Sequence, residues 1–257
     1  MFLHVQYQSQ ILNGGAEFGV FLPENATYPL KMVFLTHGAF SDYASSLFDS
    51  SIIRYCERRN LAIVAPGCYL GLYTDMVHGE PVYSHLKEAL RTAEKMFPCL
   101  SKRREDRYLL GISMGGHGAY KLAMEFPEEF CAAAACSSPI DVVQTMTLLE
   151  AGQIPGGDDL FHAFGSAEAY RNTVGDVMRR AEDHLRAGTE LPRLYLCWGD
   201  EDHAKFEDSM TVKRFEEMGI PITVRVGKGG HDFYTWDPLL EEILDWMLKG
   251  GEPDGVD

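Results

Sequence analysis

The chain has 257 residues, 46% of them hydrophobic and 24% charged, as expected of a soluble globular protein with one large core or two small ones. Its 38 acidic residues against 23 basic ones give a formal charge of −15. No basic stripe is available to neutralise phosphates, so a nucleic-acid partner is not expected.

The opening segment, MFLHVQYQSQ, has no basic stretch leading into an apolar one, and no apolar run reaches membrane-spanning length. Neither a secretory leader nor a membrane partner is expected. VQYQSQIL and EFGVFLP alternate loosely and read as an antiparallel hairpin turning at Asn13-Gly14-Gly15. Six apolar runs follow: LKMVFLT (30–36), LAIVAP (61–66), RYLLGIS (107–113), FCAAAACSS (130–138), RLYLCWG (193–199) and ITVRVG (222–227). Short continuous runs of this kind suit strands buried on both faces of a parallel sheet. Helical patterns near 44–58, 80–96, 115–125, 203–218 and 238–248 alternate with them, so the prediction is an α/β fold with a mostly parallel central sheet flanked by helices.

Residues 139–190 separate two core strands by more than one crossover helix requires. They hold the piece IPGGDD and the helical pattern VGDVMRRAEDHL, and are expected to form a lid or cap insertion within a single domain spanning 1–257. The six cysteines (56, 68, 99, 131, 136 and 197) show no metal-ligand spacing, and Cys131, Cys136 and Cys197 sit in apolar runs as small hydrophobes. Free thiols and a cytoplasmic location are expected.

The sharpest motif is Gly111-Ile112-Ser113-Met114-Gly115, inside YLLGISMGGHGAYKLA. It fits G-x-S-x-G, with an apolar strand running in and a small-residue helix running out, which is the nucleophile turn of an α/β-hydrolase fold. The sharp turn needs glycines two positions either side of Ser113, and the helix N-terminus favours developing negative charge. A serine that merely caps the helix is the competing reading. Serine needs a base. His231, in KGGHDFYTW after the last strand, lies at the edge where strand ends converge. The acid should follow the preceding strand, in the order Ser…Asp…His. There YLCWGDEDH offers Asp200, Glu201 and Asp202, and spacing does not separate Asp200 from Asp202; His203 beside them reads as the start of a helix.

Acyl transfer also needs donors aimed at the tetrahedral oxygen. The amide of Met114, next after the serine, is one; Ala39, in His37-Gly38-Ala39-Phe40 after the strand LKMVFLT, is the second, with Phe40 competing. His37 itself reads as a structural loop residue. Phe40, Tyr73 and Trp236 are candidate walls of the substrate pocket, with Tyr69, Asp75, Phe233 and Tyr234 nearby in sequence. No Lys-Ser/Thr pair completes a phosphate loop and no HExxH appears, so no metal and no cofactor are expected.

These residues resemble the esterase D branch of the α/β-hydrolases, which includes tributyrin esterases, S-formylglutathione hydrolases and related acetyl or feruloyl esterases. The resemblance covers roughly residues 15–250 and is most specific in LLGISMGGHGAYKLA. It implies Ser113 as nucleophile, His231 in HDFYTW as base, and Asp202, three residues past the glycine of GDED, as the acid. It also implies a small-molecule ester substrate and a homodimer or homotetramer. The His-Gly loop continues as AFSDYASS rather than with glycine and tryptophan, and the Ser-Gly-Leu-Thr-Cys run of S-formylglutathione hydrolases is missing. Short-chain acyl esters are therefore expected ahead of thioesters or carbohydrate acetyl and feruloyl esters. A non-catalytic binding protein on the same scaffold is a further alternative.

Overall fold

The structure, a computed structural model, describes residues 1–154 and 157–250. Two positions of the IPGGDD stretch, 155 and 156, and the end of the 1–257 domain span thus lie outside the described residues.

Eight strands form one sheet. They are β1 (Phe2–Ser9), β2 (Gly14–Phe21), β3 (Lys31–Thr36), β4 (Leu61–Pro66), β5 (Arg107–Ile112), β6 (Ala132–Cys136), β7 (Arg193–Gly199) and β8 (Ile222–Gly227), in the spatial order β1-β2-β4-β3-β5-β6-β7-β8. From β4 onward every neighbour is parallel, while β1 and β2 add as an antiparallel hairpin. This is the α/β-hydrolase architecture. The hairpin turns earlier than the Asn-Gly-Gly signal suggests: Ser9 pairs with Gly14, so both glycines lie in β2 and Asn13 takes the positive φ of 50°.

The continuous apolar runs are explained by burial on two faces. In β3, Met32 and Phe34 enter one core while Val33 and Leu35 enter the other, as the two-residue period of a strand requires. The first core is covered by α3 (Val82–Met96), α4 (Met114–Glu125), α8 (Val177–Ala187) and α9 (Lys205–Glu217); the second by α1 (Tyr43–Phe48), α2 (Ile52–Arg58) and α10 (Phe233–Leu248). One run departs from the expectation. β8 is the sheet edge and residues 223–226 are exposed, because an edge strand has one neighbour and is not fully roofed.

Two helices also differ from the sequence pattern. The expected helix over 44–58 breaks at Asp49-Ser50-Ser51, where the Ser51 amide and the Tyr55 hydroxyl both donate to Asp237 of α10. α10 begins at residue 233, not at Pro238, since Asp232 caps it by accepting from the Thr235 amide at 3.0 Å.

The long excursion after β6 has two parts. α5 (Val142–Glu150), α6 (Asp158–Phe164) and α7 (Ala167–Tyr170) form a cluster of their own around Met146, Leu149, Phe164 and Tyr170. α8 instead buries Val177, Met178 and Ala181 in the main core, as an ordinary crossover helix does. No helix among the described residues is long and apolar enough to cross a membrane.

Candidate active site

The turn after β5 is built by steric exclusion. A Cβ on Gly111 would overlap the Gly115 backbone, one on Gly115 would overlap the carbonyls of Thr36 and His37, and one on Gly116 would overlap the Ser138 side chain. With that space emptied, Ser113 adopts φ 52° and ψ −124°, a strained conformation for a residue with a side chain. Its hydroxyl makes no capping bond to α4. It lies 2.8 Å from Nε2 of His231 instead.

His231 arrives on the loop after β8. Gly199 admits the Gly229-Gly230 backbone against the end of β7, and the Asp200 and Glu201 amides donate across the gap to Gly227 and Gly229. Its Nδ1 faces Asp202, 3.0 Å from Oδ1 and 3.2 Å from Oδ2. The neutral imidazole that fits this arrangement carries its proton on Nδ1 and offers Nε2 to the serine.

Asp202 is 0% exposed. Burial works to raise its pKa, but donors from His231, Ser137 and the Ala204 amide outweigh that and hold it down at about 2. Asp200 faces elsewhere: its carboxylate binds Lys228 Nζ and the Gly229 amide at 3.0 Å, which lower its pKa and close the β7–β8 loops. The structure therefore separates the two acids by position, joining Asp202 and not Asp200 to His231.

The support beneath Asp202 is not visible in the sequence motifs. The Trp236 indole N–H donates to Ser137 Oγ at 2.9 Å, and Ser137 in turn bonds Asp202. Trp236 also stands nearly edge-on to His231, centroids 4.9 Å apart. It is buried, so it backs the imidazole and does not wall an open pocket. Ser138 bonds the Ser113 carbonyl at 2.7 Å, and its amide donates to the buried Asp208. A small residue pair after β6, Ser137-Ser138, was the available sequence signal for this layer.

The loop after β3 closes the other side. His37 is buried, with Nδ1 donating to Gly38 O at 2.8 Å and Nε2 accepting from the Cys68 amide at 3.0 Å. Burial lowers its pKa, partly offset by the Gly38 carbonyl, so the ring is neutral and its roles are structural. Gly38 lies against Ser113, where a Cβ would come 3.4 Å from the serine Cβ. Among the described residues, the amides of Met114, Ala39 and Phe40 meet no protein acceptor.

Tyr73, expected at the pocket wall, is a correction. It is 0% exposed, its hydroxyl donates to His37 O at 3.0 Å, and its ring fills the space left by Gly118. It braces the loop from behind. Asp75 is likewise structural, accepting from the amide and hydroxyl of Ser84. Phe40, 90% exposed, lines an open groove of about 630 Å³ with Ala39, Leu72, Asp158 and Leu160. A smaller apolar cavity of about 50 Å³ lies beside Met114, walled by Leu72, Val142, Met146 and Phe164.

A buried polar knot ties α4 to the α5–α7 cluster. Tyr170 Oη lies 3.0 Å from His117 Nε2 and accepts from Lys121 Nζ at 3.3 Å, while Lys121 also donates to Tyr73 O at 2.7 Å. Burial pulls the Lys121 pKa down to about 7, against the pull of Asp75 and Glu125.

Comparison with known proteins finds relatives of the chain and of its fold. The Esterase family model, described as "Putative esterase", matches residues 82–247. An acetyl esterase of Caldicellulosiruptor saccharolyticus is 25% identical over 232 residues, covering 86% of this chain and 84% of that one. The fold is shared with substrate-bound FphF, a fluorophosphonate-binding serine hydrolase of Staphylococcus aureus (TM-score 0.85, 24% identity, 96% and 98% of the chains). It is also shared with FrmB, an S-formylglutathione hydrolase of the same organism (TM-score 0.83, 24% identity, 96% and 98%).

Proposed function

The chain belongs to the Esterase family, and on that premise we propose that it is a serine carboxylesterase acting on short-chain acyl esters, with Ser113, His231 and Asp202 as its triad. The observation that carries this reading is the unbroken line of hydrogen bonds from the Ser113 hydroxyl through both ring nitrogens of His231 to a buried, ionised carboxylate. No helix-capping duty competes for the serine.

In the proposed cycle, His231 Nε2 takes the Ser113 proton as Oγ attacks the ester carbonyl. Asp202 keeps the Nδ1–H tautomer and stabilises the imidazolium. The Met114 and Ala39 amides receive the developing oxyanion, a role suited to donors with no other acceptor. His231 then protonates the departing alcohol, and water hydrolyses the acyl-enzyme by the same path. The apolar cavity beside Met114, of only about 50 Å³ and lined by Met146 and Phe164 among others, supports a short acyl chain. The open groove at Phe40 is assigned to the alcohol half. The α5–α7 cluster is assigned as the cap over the site, because it supplies the walls of both spaces. Six unpaired thiols support the proposed cytoplasmic location.

Treatment with a fluorophosphonate followed by intact-mass measurement tests the covalent step. One adduct is expected on the native protein and none on Ser113→Ala; no adduct on either sinks the proposal. A panel of p-nitrophenyl acetate, butyrate and octanoate, with S-formylglutathione alongside, then tests the acyl class. Turnover is expected to fall from butyrate to octanoate.

A further inference from the structure

The triad's acid and base lie beside a third side chain that the proposed cycle does not use. His203 is the residue after Asp202, its side chain is 78% exposed, and its ring lies against His231 with centroids 4.3 Å apart. One ligand atom from each of Asp202, His203 and His231 lies within 4.8 Å of the others.

We infer that Asp202, His203 and His231 form an inhibitory site for a divalent transition-metal ion of the zinc type. The inference rests on the triad assigned above. Two imidazoles and a carboxylate are a donor set that zinc accepts, leaving a fourth position for solvent. A tetrahedral ion with bonds of about 2.1 Å holds its donors about 3.4 Å apart. Two of the three separations bracket that value, 3.0 Å from His231 Nδ1 to Asp202 Oδ1 and 3.8 Å from His203 Nδ1 to the same oxygen, and the two histidines' ligand atoms lie within 4.8 Å of each other. His203, its side chain 78% exposed, gives the set its solvent side, while the Asp202 carboxylate is buried. The acids of the GDED turn and the net charge of −15 raise the local concentration of cations there.

Binding at this site blocks catalysis by a tautomer change. The ion takes the lone pair of His231 Nδ1, so the ring's single proton sits on Nε2 instead. No proton is gained or lost. Nε2–H faces Ser113 as a donor and has no lone pair left to accept the hydroxyl proton. Ester binding is untouched, so the expected effect is a loss of kcat with KM unchanged, reversed by a chelator.

A bland alternative makes His203 a stacking residue only, and His203→Phe separates the two. Phenylalanine keeps a ring against His231 and removes the ligand nitrogen. With tag-free protein, p-nitrophenyl acetate and added zinc chloride in a non-coordinating buffer, His203→Phe is expected to keep native turnover without zinc. Its half-inhibitory zinc concentration should rise about tenfold or more. Equal zinc sensitivity in both proteins would overturn the site. A second measurement does not depend on activity: cobalt(II) titrated into Ser113→Ala should give one equivalent of four-coordinate visible absorption, displaced by zinc, and His203→Phe should give none. Identical spectra overturn the site even where the esterase proposal stands. Absent turnover with the expected cobalt spectrum sinks the esterase proposal and retains the site.

Discussion

Replacing Asp202 by asparagine tests its role beside His231, because both oxygens of the carboxylate face the same ring nitrogen. Asp202 accepts from the Ala204 amide at 2.8 Å, from Ser137 and from His231 Nδ1. An asparagine has one oxygen for these donors. Oδ1 takes both the Ala204 amide at 2.8 Å and His231 Nδ1 at 3.0 Å, and Oδ2 lies 3.2 Å from the same Nδ1, so either placement of the NH₂ sets a donor beside Nδ1, which the ring then presents as an acceptor. The ring proton moves to Nε2 and the base is lost. Loss of the carboxylate partner in such triads costs roughly 10⁴-fold in kcat. Asp200→Asn, which touches only Lys228 and the Gly229 amide, should leave turnover within about threefold, in line with the small effect of exposed ion pairs. A stability effect accompanies the kinetic one. The Asp202 pKa is held at about 2 against an ordinary 3.8, which is worth about 2 kcal/mol of folding stability. Because the folded pKa is the lower, this contribution is complete above pH 3.8 and is lost as pH falls from 3.8 toward 2. The stability gap between native protein and Asp202→Asn should therefore narrow over that window in urea titrations. Retention of more than about a tenth of native kcat in Asp202→Asn, or a greater loss in Asp200→Asn, would refute the reasoning.

Three other outcomes follow from the surroundings of the site. Gly115→Ala should destabilise by more than the roughly 1–3 kcal/mol of ordinary overpacking, since its Cβ meets the backbone of Thr36 and His37 and not a movable side chain; thermal unfolding checks this, with Ser113→Ala as the folded control. Trp236→Phe keeps a ring beside His231 but removes the donor to Ser137, so kcat should fall with KM unchanged and stability drop by about 1 kcal/mol, read from steady-state kinetics and urea melts. Lys121→Met removes a buried amine whose pKa lies near 7 against an ordinary 10.5. A lowered lysine pKa means the unfolded chain holds the proton over that window, so native stability should rise relative to Lys121→Met between pH 7 and 10. The slope should be at most about 1.4 kcal/mol per pH unit. A flat difference would show that the amine titrates normally.

The sheet was legible because its cause is local. Runs such as LAIVAP carry their own signature of burial on both faces, and the observed β4 covers the same six residues. β8, where Thr223 and Arg225 interrupt the apolar residues, forms its strand but is exposed, since such a run records a strand and not whether a neighbour arrives to cover it. The last helix starts five residues before the pattern near 238–248, because Asp232 caps it and Pro238 is carried inside the helix.

Ser113 and His231 were singled out from the chain because each stands in a local frame, glycines either side of one and a loop after the last strand for the other. The sequence by itself determined the strand order along the chain, the emptied volume around the serine turn, and the pool of acids and histidines at the strand ends. Tertiary structure decided which of them meet. Asp200 and Asp202 share composition and turn, and only the path of the Gly229-Gly230 loop gives one to Lys228 and the other to His231. Tyr73 and Trp236 turned out to stand behind the site because hydroxyl and indole donors, once buried, go where acceptors are: the His37 carbonyl and Ser137. Backbone sterics and hydrophobic period act within a few residues and are written in order along the chain. Hydrogen-bond pairing between side chains 29 and 118 positions apart exists only once the sheet has brought its strand ends together.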